Sequence, residues 1–223
     1  METSGRRPEP LSRGRIIRAA VELLDDSGES GLTFRALAER LATGPGAIYW
    51  HISGKSDLLG AATEAVIADA VPAGRTGETP QEAVRDLGLG VFDAIDAHPW
   101  LGTQLSLNPR RSPMLRVFES LGRQVQALGV PPDTEFTAVS ALLNYILGVA
   151  GQNAANARAF EPGTDRAEFL GTVAAAWAEL DPDEYPFTRS AADRLREHDD
   201  RAEFLAGLDL VLAGIVARLV PPR

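Results

Sequence analysis

The stretch Thr33–Lys55, TFRALAERLATGPGAIYWHISGK, decides the reading of this chain. Phe34, Leu37, Ala38 and Leu41 recur at spacings of three and four, which places one apolar stripe on a helix. The Thr33 hydroxyl stands where it can cap the free amides of the first turn. A helix of about two turns is therefore expected from Thr33 to Arg40. Leu41-Ala42-Thr43-Gly44 then supplies a turn, with Thr43 as a second cap. Gly44-Pro45 falls at the next helix start, where proline's missing N–H costs little. That second helix is short, from Pro45 to His51, with Ile48 turned inward. Two short helices across a tight turn meet the requirement of a helix-turn-helix DNA reader: one braces on phosphates and the other enters the major groove.

The flanks frame this pair. Ser53-Gly54-Lys55-Ser56 breaks the pattern, and Ser56 with Asp57 begins a third helix through Leu58, Leu59 and Ala62. Upstream, Ile16, Ile17, Ala20, Val21 and Leu24 form the stripe of a helix that packs behind the pair. It is expected to end near Asp26-Ser27-Gly28, where glycine permits a left-handed cap.

These residues resemble the N-terminal domain of the tetracycline-repressor (TetR) family of transcription regulators. The resemblance is carried by Gly31-Leu32-Thr33, Arg35, Leu37-Ala38, Ala47-Ile48-Tyr49-Trp50-His51, and Lys55 with Leu58-Leu59. A second, weaker likeness lies at Asp200–Leu210, DRAEFLAGLDL, which resembles the last dimerising helix of the branch nearest the tetracycline repressor. The resemblance implies an all-α protein. Residues 1–60 make a basic arm and a three-helix DNA-binding domain, and residues 61–223 make a larger helical domain for ligand binding and dimerisation. It implies a repressor as the usual mode of action.

Composition agrees with a helical protein acting in the cytoplasm. The 223 residues include no cysteine, which excludes disulfides and thiolate metal sites. No apolar run reaches the roughly 18–20 residues of a membrane span, and none near the start reads as a signal peptide. The net charge of −9 opposes DNA binding at first sight. Residues 1–60, however, hold 8 Lys and Arg against 8 Asp and Glu, so the acidity belongs to the second domain. Arg6, Arg7, Arg13, Arg15 and Arg18 face only Glu2 and Glu9, and with Pro8 and Pro10 they make an arm suited to the DNA backbone or minor groove.

The candidate DNA-binding residues are Thr33, Arg35, Thr43, Pro45, Ala47, Tyr49, Trp50, His51 and Lys55. Tyr49 and Trp50 also suit the core of a small bundle. With Ile48 turned inward, though, its immediate neighbours cannot all follow it on a helix. Tyr49 and His51 are assigned to phosphates, Ala47 and Trp50 to the groove surface, and Pro45 to an apolar contact such as a thymine methyl. Arg35 is the candidate base reader, because a guanidinium bonds two guanine acceptors at once. Lys55 is assigned to a phosphate. The resemblance implies the same roles at the matching positions, although Gly44-Pro45-Gly46 leaves a bare reading edge.

Beyond the motif, helices are expected over 56–70, 80–97, 112–128, 133–157, 165–180 and 201–219, with a short piece from Trp100 to Leu107. Residues 181–200, with Pro182 and Pro186, read as a loop around Tyr185-Pro186-Phe187. In the last helix Phe204, Leu208, Val211, Ile215 and Leu219 form one stripe that Leu205, Leu212 and Val216 widen, enough for a core face and a partner face. In 133–157, Val139, Leu142, Leu143, Ile146 and Leu147 form the core stripe. Gly148, Ala150, Gly151, Ala154 and Ala155 leave room for another helix. Four such helices from two copies would make a homodimer, which sets two reading heads on successive major grooves of a palindromic operator.

A regulator of the family carries a small-molecule pocket in its helical domain. The candidates are Phe92, Trp100, Gln104, Leu107, Met114, Phe118, Asn144, Tyr145, Gln152 and Trp177, each of which reads equally as an ordinary core side chain. Asn144 and Gln152 require a partner: ligand, water or the second subunit. The family's metal-binding histidine aligns near Leu105, which cannot ligate, and the chain holds only three histidines. An apolar or aromatic organic effector is expected, with no cofactor and no metal. A ligand-independent DNA-binding protein is the alternative. An enzyme is disfavoured, since no phosphate loop, GxSxG elbow or cysteine nucleophile is present.

Overall fold

A computed structural model describes residues 10–71, 79–107, 113–159 and 165–221. Among them the secondary structure is helical throughout, without a strand. The helices are α1 (Arg13–Gly31), α2 (Phe34–Arg40), α3 (Pro45–Tyr49), α4 (Lys55–Ala70), α5 (Pro80–Ala97), α6 (Leu101–Leu107), α7 (Met114–Ala127), α8 (Pro132–Ala159), α9 (Arg166–Ala178), α10 (Pro186–Arg196) and α11 (Asp200–Leu219).

Local chemistry sets most of these boundaries. Thr33 caps α2 by accepting from the Ala36 amide at 3.1 Å. Thr79 and Glu82 close a reciprocal capping box on α5, with Pro80 in its first turn. Asp165 and Asp199 cap α9 and α11.

Four sequence expectations are corrected. Gly28 does break α1, at φ 64, but the helix resumes for one more turn to Gly31. The N-cap of α3 is Gly44, which has no side chain to cap with, and Thr43 stands one residue before the capping position. The helix after the α2–α3 pair, α4, starts at Lys55 rather than Ser56, because Asp57 accepts from the Ser53 amide and hydroxyl at 2.9 and 3.1 Å and so satisfies the joint one residue earlier. Residues 186–196 form a helix, not a loop. Pro186 sits in the first turn, where it favours a helix start, and Ala192 is buried.

The head is a bundle of α1–α4 around Ile16, Leu24, Leu37, Ile48 and Leu58, all essentially inaccessible to solvent. In the body, α5 packs against α4, α7, α8 and α11. Its Val91 and Ile95 meet a core that includes Leu121, Leu142, Ile146 and Leu208. Bare backbone permits close crossings. A Cβ on Gly90 would lie 2.4 Å from the Ala70 carbonyl oxygen at the end of α4, and one on Gly88 would lie 2.7 Å from a Leu208 methyl. The α9–α10 pair packs mainly on itself.

The outer faces of α8 and α11 stay open in the single chain. Phe136 and Leu210 are 72% and 76% exposed, and Ala141, Gly148, Ala155, Ala206 and Gly214 lie along the same two helices in exposed positions. Among the small residues expected on the partner face of α8, Ala150 and Ala154 instead face the core. Leu210 was absent from the expected stripe.

Candidate nucleic-acid interface

The α2–α3 pair turns on Ala42, which takes φ 50, an uncommon conformation for a residue with a side chain. The Thr43 amide closes the turn on the Ala38 carbonyl at 3.0 Å. The five residues of α3 bury one side chain, Ile48, as the sequence requires. Tyr49 is not a core aromatic: it is 57% exposed and stacks on Phe34 of α2, centroids 4.5 Å apart and planes 8° apart. Trp50 projects from the end of α3 at 90% exposure. Gly44, Pro45 and Gly46 are exposed, and Ala47, Thr43 and His51 are half-buried. The nine residues assigned to DNA thus gather around α2, α3 and the start of α4.

Their charged members have partners within the chain. Arg35 donates to Glu39 one turn along α2 at 3.0 Å, with side chains 88% and 67% exposed. Such an exposed pair contributes little and yields easily to a better acceptor. Lys55 Nζ donates to the Glu29 carbonyl oxygen at 2.6 Å, tying the start of α4 to the end of α1. Arg40, which the motif left without a role, binds Glu22 and Asp26 of α1, and the Asp26 hydrogen bond raises its already high pKa.

Arg13 departs from its expected place in a loose basic arm. It is the first residue of α1 and donates to the His51 carbonyl oxygen at 2.6 Å and to Asp57 Oδ1 at 3.0 Å. The Ser53 amide, then the Arg13 guanidinium, hold the Asp57 carboxyl below its ordinary range. Sequence periodicity carries no sign of this network, since its members lie 38 and 44 residues apart. The arm residues Arg6 and Arg7 lie outside the described residues.

Among the described residues, the ligand candidates fall in several places. Phe92 stacks on Phe204 at 4.6 Å, and Tyr145 covers the same ring at 5.7 Å while its hydroxyl donates to the Phe204 carbonyl oxygen at 2.9 Å. Burial, then Glu203, raises the Tyr145 pKa. Trp100 and Gln104 face α1: the indole N–H donates to Asp25 at 2.7 Å and the amide to Glu29 at 3.1 Å. His98, the residue that caps the end of α5, joins Asp25 at 2.8 Å. Phe118 is half-buried beside Phe136, and Met114 and Trp177 are half-buried. Asn144 and Gln152 lie in exposed positions on α8. The side chain of Leu107 lies outside the described residues.

Two grooves escaped the sequence reading, because each takes its walls from helices distant in the chain. One, of about 660 Å³, runs between α1, α4 and α5 and is lined by Ile17, Val21, Val66, Gly90 and Ala94, among others. The second, of about 720 Å³, lies between α5, α8 and the α9–α11 region, with Phe92 and the charged or polar Asp93, Asn153, Arg166 and Arg201 in its walls.

Comparison with known proteins agrees with this layout. The family model for "Bacterial regulatory proteins, tetR family" matches residues 16–62, and the model for "Tetracyclin repressor-like, C-terminal domain" matches residues 73–219. An HTH-type transcriptional regulator of Saccharopolyspora erythraea is 30% identical over 148 residues, 66% of this chain and 63% of that protein, so the match spans less than two thirds of that relative. The structure of SCO7222, a TetR from Streptomyces coelicolor, is 64% identical, with a TM-score of 0.85, and the alignment covers 93% of this chain and 99% of that one. ActR of Streptomyces coelicolor, at 20% identity and a TM-score of 0.74 over 94% and 97% of the two chains, shares the fold. The chain belongs to the TetR family of bacterial regulatory proteins.

Proposed function

We propose that this chain is a ligand-responsive, DNA-binding transcription regulator, a homodimeric repressor released from a palindromic operator by a small organic molecule. The observation that carries the reading is the α2–α3 surface. A five-residue helix is held rigidly by Ile48 and the Phe34–Tyr49 stack, and it presents Pro45, Ala47 and the exposed Trp50 outward with Arg35 beside them. The matched family makes it a regulator rather than an enzyme. DNA as the target places its action in the cytoplasm. Among the described residues no helix is long and apolar enough to cross a membrane.

Residues 1–60 act as the reading head and 61–223 as the controlling domain. α4 runs through that division and couples the two. Support for a dimer comes from the open faces of α8 and α11, where Phe136 and Leu210 would otherwise leave large apolar groups in water. ActR, of the same fold, is known in complex with actinorhodin, a precedent for an organic effector in such a body. The effector acts by population shift, favouring one spacing of the two heads over the other. The bond from Trp100, just before α6, to Asp25, the bond from Gln104 of α6 to Glu29, and the Gly90–Ala70 crossing are routes from body to head.

The test is a mobility-shift assay on DNA selected by the protein from a random pool, repeated with a panel of aromatic compounds. Release by at least one compound, with a matching rise in the melting temperature of the free protein, supports the reading. Retention of DNA with every compound favours the ligand-independent alternative.

A further inference from the structure

The exit of the reading helix is a short non-helical joint. α3 ends at Tyr49, α4 begins at Lys55, and the joint between them contains Ser53 and Gly54, with Ile52 its buried anchor. One guanidinium spans this joint. Arg13 Nη1 donates to the carbonyl oxygen of His51, just beyond α3, while Nη2 donates to Asp57 Oδ1, in the first turn of α4. The other Asp57 oxygen accepts from both the amide and the hydroxyl of Ser53. α1, the exit of α3 and the start of α4 are thereby locked by a single Arg–carboxylate network.

We infer that Arg13 is a positioning residue for DNA reading: it sets the angle of α3 by clamping its exit, and Asp57 is the other half of the clamp. This deepens the DNA-binding reading above and rests on it. The chemistry favours arginine. The carbonyl and the carboxylate are met by two different nitrogens at fixed separation in one plane, whereas an ammonium must direct all its donors from one nitrogen on a flexible stem. The simpler role for a basic residue near DNA is a phosphate contact, and the two roles make opposite predictions at Asp57. If charge alone matters, removing an acidic group near the polyanion strengthens binding. If the clamp matters, removing it weakens specific binding.

The experiment uses the full chain, with DNA selected by the wild-type protein from a random pool and, as control, unselected DNA of the same length. Affinities are measured over a salt series at temperatures well below each variant's melting point. Arg13→Lys, Arg13→Ala and Asp57→Asn are each expected to weaken binding to the selected DNA by about tenfold, the scale of one charge-assisted hydrogen bond. Arg13→Lys and Asp57→Asn leave binding to unselected DNA within about twofold, since their backbone contacts are intact. The double variant Arg13→Ala/Asp57→Asn is no weaker than the worse single variant, because both remove the same device.

Three results overturn the inference: Arg13→Lys binding as wild type, Asp57→Asn binding tighter than wild type, or Arg13→Ala lowering the salt slope by about 0.9 per protomer, the signature of a lost phosphate contact. Should Arg13→Ala not fold, Arg13→Lys and Asp57→Asn decide the question alone. Failure of the wild-type chain to enrich any sequence refutes the DNA reading itself, and the inference with it.

Discussion

Phe34 and Tyr49 lie ring on ring, 4.5 Å between centroids and 8° from parallel, and this stack joins the bracing helix α2 to the reading helix α3. A helix of five residues has no stability of its own in water. Its direction comes from what it leans on: Ile48 in the core, the Phe34 ring, and the Arg13 clamp at its exit.

The stack separates two roles of Tyr49. Phe34→Ala removes it and is expected to lower stability by about 1 kcal/mol or more, since an aromatic pair contributes about 0.5–1.5 kcal/mol beyond its burial. Tyr49→Phe keeps the stack, so stability stays within about 0.5 kcal/mol of wild type. Its lost hydroxyl weakens binding on all DNA sequences alike, as a phosphate contact requires. Urea unfolding and anisotropy titration measure the two effects.

Arg35 and Glu39 form an exposed pair whose loss costs little stability. Glu39→Ala is expected to unfold within about 0.5 kcal/mol of wild type. Arg35→Ala lowers affinity for the selected site by about 1–3 kcal/mol more than for random DNA, because a base reader carries sequence information. Equal losses on both DNAs would remove its base-reading role.

Gly90 fixes how closely α4 approaches α5. A Cβ there meets the Ala70 carbonyl oxygen at 2.4 Å, which backbone cannot give way to cheaply. Gly90→Ala is expected to destabilise the chain by about 1–3 kcal/mol in chemical unfolding, the usual cost of overpacking. It displaces the end of the helix that links head to body.

The Asp57 clamp has a pH signature. The Ser53 amide and the Arg13 guanidinium lower its pKa, so its stabilisation is fully present above the unfolded value and is lost as pH falls through the folded one. At neutral pH, wild type is expected to be more stable than Asp57→Asn. The gap narrows below pH 3.8, the ordinary aspartate value, as the carboxylate of wild type takes up its proton. A gap independent of pH down to the acid transition would show that the charge on Asp57 contributes nothing.

The head was legible because its signals are local. Ile48 as the buried residue of α3, Thr33 as a cap and Pro45 at a helix start are each dictated within a few residues. α10 is hidden by an equally local signal: Pro186 reads as a break, whereas its place in a first turn makes it a start. The long-range network was not legible. Arg13 with Asp57, and Asp25 with Trp100, join residues 44 and 75 positions apart, and no periodicity records such pairs. The places of the ligand candidates are not legible for a related reason. Composition marks aromatic and amide residues, but only packing decides that Trp100 faces α1 while Asn144 lies exposed on α8.

The most direct test of the central claim is selection of duplex DNA from a random pool by the full-length chain, followed by sequencing. The enriched sequences are expected to form an inverted repeat whose half-sites lie about one helical turn, roughly 10 base pairs, apart or a multiple of it, as two α3 helices of a two-fold dimer require. Enrichment of a single half-site, or of no sequence at all, would contradict the account.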